Sequence, residues 1–273
     1  MTADPMTTLA WLFLAHFVAD FVLQTDRMAA DKGSDGTRAL FGIGRHVAAV
    51  AVCLAPVIAA FGVPGIAFVI LSALSHGLID RAKILATRRA LDRGASTLGA
   101  SWTPVPGALF ALDQLGHLVI AVVLWAVLLW NVPLTAGWER AVGQIAARWD
   151  PVAFGEAMLW IAVVSSLLIV NVRAGSFFVA TLVGPGPAPD DAGPERPPDR
   201  VGETIGVLER LLVVIFVLGG AGVAVGLVIA AKTIARFRQL DDRAFAEYYL
   251  LGTLASVSVA IVSGLTAAAA LGL

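Results

Sequence analysis

An all-α, polytopic membrane bundle of about eight transmembrane helices is the fold class that this sequence predicts. Three observations carry it. Of the 273 residues, 58% are hydrophobic and only 14% charged, against about 25% charged in a soluble domain. Mean hydropathy is +0.84. The charges are also segregated, with long apolar runs between short polar clusters. Lipid leaves no partner for an open sheet edge, so runs of this length must cross as helices.

The spans follow in order. The first covers roughly Thr8 to Gln24, and a polar loop from Asp26 to Arg45 follows. The second runs from His46 to about Phe61 and turns at Gly62-Val63-Pro64. The third runs from Gly65 to Ile79, ends in Asp80-Arg81-Ala82-Lys83, and is followed by a basic loop with Arg88, Arg89 and Arg93. The fourth runs from Pro106 to Trp130. The next loop, Trp138-Glu139-Arg140 to Arg148-Trp149-Asp150, has the tryptophan anchors of a short interfacial helix. The fifth starts near Val152 and passes Asn171 toward Leu182. Residues 184–200 are rich in Pro, Gly and Asp and read as a flexible linker. Spans six and seven, Ile205–Leu218 and Ala221–Ala235, are short for a bilayer that needs ~20 residues. One long bent helix, giving seven spans, is the alternative. The last covers Tyr248–Leu271. Four regions result: 1–131, four membrane helices; 132–183, interfacial loop and long fifth span; 184–200, linker; 201–273, three membrane helices.

Sidedness comes from the basic residues. With eight spans, sixteen Lys and Arg fall on one side, Arg140 and Arg148 on the other, and Arg210 inside a span. The rich side is then cytoplasmic, with both termini opposite. The expected location is a bacterial inner membrane. The net charge of −1 and the lack of a basic arm give no support to nucleic-acid binding. Cys53, the only cysteine, excludes an intrachain disulfide. The first apolar run lacks a basic leader and carries His16 and Asp20, so it reads as a retained span.

The polar residues inside these spans are the candidate site, because ionisable groups in hydrocarbon are costly. Of four histidines, three have an aspartate four residues away: His16/Asp20, His76/Asp80 and Asp113/His117. One helical turn separates each pair. Chance gives any one histidine such a partner about 10% of the time with this many aspartates. His46 opens the second span. A rise of 1.5 Å per residue places all seven groups in the cytoplasmic half of the bilayer. Mixed imidazole and carboxylate ligands suit Zn²⁺ first, then Mn²⁺ or Fe²⁺. Gln24 and Asp26 lie nearest water, and with Lys83 and Gln114 they would orient ligands or guide access. A set of His–Asp pairs relaying protons without metal is the alternative, and a lone intramembrane histidine often only bonds a neighbouring helix.

A second cluster stands at similar depth in the last third: Glu203, Glu209, Arg210, Lys232, Arg236, Glu247 and Tyr248. It reads either as ion pairs with snorkelling cations or as an anion site gripping phosphate or carboxylate. There is no HExxH, P-loop, Gly-x-Ser-x-Gly or CxxC motif.

Read together, His16-x3-Asp20-x3-Gln24-x-Asp26, His46, His76-Gly-Leu-Ile-Asp80-x2-Lys83 and Asp113-Gln114-x2-His117 resemble the pattern of a bacterial membrane family catalogued as domain of unknown function 3307. Gly202-x3-Gly206-x2-Glu209-Arg210, Ala231-Lys232-x-Ile234-x-Arg236-Phe237 and Glu247-Tyr248-x3-Gly252-Thr253 are similar to its later part. The resemblance implies a membrane protein and no activity.

The expectation is an inner-membrane, metal-dependent hydrolase. Its metal would be held by His16, His46, His76, His117, Asp20, Asp80 and Asp113. Asp20 or Asp113 would be the general base. The bilayer is the constant partner, a lipid-like or amphiphilic anion the expected substrate, and a homo-oligomer is compatible. A metal-ion or proton-coupled transporter is the first rival, although the outer halves of the first four spans are almost purely apolar. A structural or regulatory subunit with a metal staple is the second.

Overall fold

The computed structural model of the chain describes residues 4–95, 103–184 and 199–273. Among the described residues there is no β-strand, and the chain is helical nearly throughout. Helix α1 (Pro5–Val18) continues into a π-helical turn, Ala19–Leu23. Then come α2 (Asp26–Lys32), α3 (Gly36–Phe61), α4 (Val63–Ala95), α5 (Val105–Leu128) and α6 (Ala136–Ala146). Next, α7 (Pro151–Ile169) passes through a second π turn, Val170–Ala174, into α8 (Gly175–Val183). The C-terminal part is α9 (Asp199–Leu218), α10 (Val223–Ala235), a 3₁₀ turn at Phe237–Asp241, and α11 (Arg243–Leu271).

Among the described residues, six helical stretches are long and apolar enough to cross a membrane: Pro5–Leu23, Gly36–Phe61, Val63–Asp92, Val105–Leu128, Val152–Val183 and Arg243–Leu271. Helices α9 and α10 are not among them. The first carries Glu203, Glu209 and Arg210 within its 20 residues, and the second has only 13, about 20 Å of rise. They are two helices nonetheless. The chain breaks at Gly219-Gly220, where Gly220 takes a φ of +69°. Beyond the break, Lys232 Nζ returns to within 2.6 Å of Glu209 Oε2. That pair closes only if α10 doubles back along α9, so a single bent helix is ruled out.

Two stretches expected as loops are helical. Residues 80–92 contain neither Gly nor Pro, so α4 continues through Arg88 and Arg89 to Ala95 without a break. The Asp26–Arg45 stretch contains α2, started by the Thr25 hydroxyl accepting from Met28 N at 3.2 Å, and the first turns of α3. Residues 185–198, the bulk of the expected linker, lie outside the described residues, and α9 opens at Asp199.

The chain divides into two compact units. The first comprises Met1–Asp92 and Ala111–Ser166. Its apolar core joins Leu12, Val50, Leu54, Phe61, Phe68, Val69, Trp125 and Leu129. A positive φ at Gly62 turns α3 into α4. At Gly65 any Cβ would stand 2.3 Å from Val57 O, so only glycine allows that approach. Thr135 closes the same end: its N–H donates to Ala60 O at 2.8 Å and its hydroxyl to Ala59 O at 2.6 Å. At the other end α2 folds back on α3, and Gly42 makes this contact sterically feasible. A Cβ there would meet Lys32 N at 2.4 Å and Asp31 C at 2.7 Å. Arg88 secures the α2–α3 turn from α4, bonding Gly33 O, Ser34 O and Asp35 Oδ1.

The second unit comprises Arg93–Phe110 and Leu167–Leu273. Helices α9 and α8 pack on α11. Gly264 of α11 lets Val217 of α9 approach, since a Cβ would be 3.0 Å from Val217 Cγ1. Gly107 does the same against Leu182, and the Phe110 ring lies 5.1 Å from that of Phe177.

Candidate metal centre

The first unit brings all four histidines and three of the aspartates to one place. His16 stands at the end of α1 and Asp20 in the π turn after it. His46 comes from α3, His76 and Asp80 from α4, and Asp113 and His117 from α5. A π turn adds a residue to the helical circuit and is frequent at functional sites. Here it holds Asp20 and then releases the chain at Gln24 in extended conformation, so that α2 can return. The one-turn spacing of each His/Asp pair puts both groups on one helix face, as expected from the sequence.

His76 is the hub. Its ring centroid lies 4.0 Å from that of His117, 4.8 Å from His46 and 5.5 Å from His16. Nε2 of His76 and Nε2 of His46 are 2.8 Å apart. Asp20 Oδ1 is 3.2 Å from the first and 3.3 Å from the second, yet it has no hydrogen bond. The three atoms form a triangle of 2.8, 3.2 and 3.3 Å edges. Asp80 Oδ2 adds a fourth corner 3.6 Å from His46 Nε2. Bonds of ~2.0–2.1 Å put neighbouring ligand atoms ~3.0–3.4 Å apart in six- and four-coordinate shells. The donor set therefore fits one divalent cation. Three overlapping trios have ligand atoms within 4.8 Å of one another: His16/Asp20/His76, His46/His76/Asp80 and Asp80/Asp113/His117.

Hydrogen bonds sort these residues further. Gln114 Oε1 accepts from His16 Nε2 at 3.2 Å, which places the proton of His16 on that nitrogen. The Gln114 amide nitrogen donates to Asp20 Oδ2 at 3.3 Å and to Asp113 Oδ2 at 3.1 Å. Gln114 thus orients His16, Asp20 and Asp113 together. Asp113 Oδ2 also accepts from Lys83 at 2.8 Å, and Asp113 Oδ1 has no hydrogen bond. His117 Nδ1 lies 3.8 Å from that oxygen.

Two lysines sit within the cluster. Lys83 reaches Asp80 Oδ1 at 3.4 Å as well as Asp113. Lys32, brought in by α2, donates to Asp80 Oδ2 at 2.6 Å and to Gln24 Oε1 at 2.5 Å. Sequence reasoning missed Lys32, which lies in the stretch Asp26 to Arg45 that reads as a polar loop. Its only signal was electrostatic: three buried aspartates with one lysine beside them need another cation. Asp20, Asp80 and Asp113 against Lys32 and Lys83 leave one net negative charge with neutral imidazoles, which favours a bound cation. Asp26, expected nearer water, is exposed at the start of α2.

The residues of the second cluster do not converge. Glu209 pairs with Lys232. Arg210, one position on and so 100° around the helix, is buried among α8, α9 and α11 with other partners. Arg236 donates to Gln239 Oε1 at 2.9 Å and Arg243 to Glu247 at 2.9 Å. Glu203 and Tyr248 are exposed, and the ring beneath Lys232 is that of Tyr249, 5.5 Å from Nζ.

No curated protein and no solved structure matched the chain. The family match ends at residue 141 and so leaves out the later motifs. Residues 8–141, which hold every member of the His/Asp centre, match the family described as Protein of unknown function (DUF3307), and over this stretch the chain carries that family's domain.

Proposed function

We propose that this protein is an inner-membrane metalloprotein whose buried His/Asp centre holds one divalent cation, zinc first, with manganese or iron as alternatives. The chemistry we assign to it is hydrolysis of a lipid-like or amphiphilic anionic substrate. One observation carries the metal reading: the triangle of His46 Nε2, His76 Nε2 and Asp20 Oδ1, with edges of 2.8–3.3 Å and an acceptor that no hydrogen bond fills. Asp80 is the fourth ligand that the distances favour. When bound, such a cation polarises a substrate oxygen and acidifies water.

The residues around it divide the remaining work. Asp113 is the general base that the geometry favours over Asp20: Lys83 and Gln114 fix one oxygen and leave the other open. Gln114 keeps the proton of His16 on Nε2 and so withholds that nitrogen from the cation. Access is at Lys83, whose side chain is 26% exposed, against 9% or less for the four histidines, three aspartates and Lys32. An ammonium at the mouth selects an anionic group. The basic bias places this mouth on the cytoplasmic side, with both termini opposite. Because α9 and α10 form a hairpin, that orientation holds whether they cross or only enter the bilayer.

Metal analysis of protein purified in detergent and loaded with Zn²⁺ or Mn²⁺ tests the reading. About one equivalent is expected in wild type, and much less in His76→Ala. Loaded wild-type protein without metal would overturn it. Phosphate-ester and carboxylate-ester amphiphiles in mixed micelles then test hydrolysis. A second reading, a proton-relaying centre, is favoured by His46 Nδ1. It is buried without a partner, whereas a histidine on metal normally donates its other N–H. Proton uptake by metal-free protein in proteoliposomes would support that reading.

A further inference from the structure

The second unit contains a buried arginine that makes no direct ion pair among the described residues; the charges of Glu209 and Glu203 act on it only from a longer range. Arg210 is 3% exposed. Its Nε donates to Asn171 O at 2.7 Å, Nη1 to Ser256 Oγ at 3.1 Å and Nη2 to Ser176 Oγ at 2.6 Å. All three acceptors are neutral. Among the described residues no carboxylate lies within ion-pairing distance. Glu209, its neighbour, is turned away to Lys232.

The fold builds this arrangement deliberately. In the π turn Val170–Ala174, the N–H of Gly175 bonds Val170 O, five residues back. Asn171 O, which an α-helix would give to Gly175, is freed for Arg210. Gly175 itself has no side chain where a Cβ would meet Arg210 Nε at 3.0 Å. Asn171, fully buried, clamps the turn to α11 by donating to Leu167 O at 2.9 Å and Ser263 Oγ at 3.0 Å.

Donors without acceptors continue from there. Ser256, Thr253 and Tyr249 lie three and four residues apart on one face of α11. Thr253 Oγ1 and Tyr249 OH are buried with no hydrogen-bond partner. Tyr249 in turn lies beneath Lys232, whose side chain is 22% exposed. A polar seam therefore leads from a half-open lysine past two unsatisfied hydroxyls to a guanidinium with two N–H groups to spare. Asn171 Oδ1 is also buried without a partner, but one amide oxygen does not match two spare guanidinium N–H groups and two hydroxyls, and such an excess of donors is satisfied by an anion.

We propose that the second unit holds an oxyanion site centred on Arg210 and approached past Lys232, Tyr249 and Thr253. The ligand is a carboxylate or a phosphate monoester, matched by two parallel guanidinium N–H groups. This site is separate from the metal centre and uses none of its residues.

Binding is read by thermal stability and by ³¹P line broadening on full-length protein in a neutral detergent. EDTA is present, so the metal centre takes no part. The probes are inorganic phosphate and dodecyl phosphate. Either one should raise the melting temperature of wild type and saturate. Dodecyl phosphate alone identifies an amphiphile, and equal binding of both identifies a free anion. Arg210→Gln should abolish binding. Because that variant can also misfold, Thr253→Val and Tyr249→Phe serve as second tests, since neither residue bonds Arg210. Each should weaken binding at least five-fold with the fold intact. No saturable effect in wild type overturns the proposal. So does binding that all three variants leave unchanged.

Discussion

Lys32 Nζ lies 2.6 Å from Asp80 Oδ2, with side-chain exposures of 7% and 2%. A short helix outside the long spans thus delivers a cation into the centre of the first unit. Removing one member leaves the other charged and buried, which costs about 3–5 kcal/mol. Lys32→Met should therefore destabilise strongly. Lys32→Met/Asp80→Asn should recover most of the loss, because neither charge remains. Thermal unfolding of the four proteins in one detergent closes this cycle. Additive losses would show that the two groups act independently.

The metal reading makes a different use of non-additivity. His46 and His76 meet at one point, so His46→Ala, His76→Ala and the double variant should lose bound metal to the same extent. His16→Ala should retain most of it, since Gln114 and not the triangle engages its Nε2. Metal content after equilibrium dialysis checks all four. Stripping the wild type with a chelator should lower its melting temperature in proportion to the affinity lost.

Two glycines two residues apart in α3, and so on different faces of it, give opposite expectations. At Gly42 a Cβ would meet backbone atoms of α2 at 2.4 and 2.7 Å, whereas at Gly44 nothing lies within 4 Å. Gly42→Ala should cost about 1–3 kcal/mol by pushing α2 off α3, and with it Lys32 off Asp80. Gly44→Ala should be neutral or stabilising by about 0.5–1 kcal/mol, as alanine restricts the unfolded chain. Proteolysis near Lys32 should accelerate in the first variant only.

The convergence of His16, His46, His76 and His117 was legible because depth can be counted along a helix and three pairs repeat the one-turn spacing. Lys32 was not: Gly33-Ser34-Asp35-Gly36 marks a turn, with Gly36 at a φ of +62°, but the depth at which α2 lies depends on a π turn and on the absence of one side chain at Gly42. The extension of α4 was hidden by its charges, which mark a polar surface and not the end of a helix. The second cluster divides into separate contacts for a related reason. Spacing gives depth but leaves azimuth to the neighbours, and Glu209 and Arg210 at one depth face different helices. Arg210 found its partner through a carbonyl, which no side-chain pattern records.

Asp31 supplies a pH dependence outside the spans. The Arg38 guanidinium, 2.6 Å away, holds its carboxyl below the ordinary value, against the opposing effect of burial, and the charges of Arg38, Arg45 and Arg27 assist. A folded value below the unfolded one of ~3.9 means the contribution is complete above that pH. It is lost as pH falls from about 4 toward the folded value. Arg38→Gln should make the acid side of the stability profile shallower below about pH 4 and leave it unchanged at pH 7–8 in slope. Melting temperatures across this range, beside Asp31→Asn, provide the check.

The Glu209–Lys232 pair fixes how the chain returns. Ten residues precede the break at Gly219 and twelve follow it, so the two side chains can meet only if the helices run antiparallel. Positions before α9 and after α10 then lie on one face of the membrane. In a Cys53→Ser background, single cysteines at Gly202 and Arg238 should react with an impermeant maleimide from the same side of sealed vesicles, and a cysteine at Gly220 should not react in step with them. Labelling of 202 and 238 from opposite sides would restore a single bent span and move the C-terminus across the membrane. The ion pair would then have to be broken in the bilayer, and Lys232→Gln would leave the labelling pattern and the stability of this unit untouched.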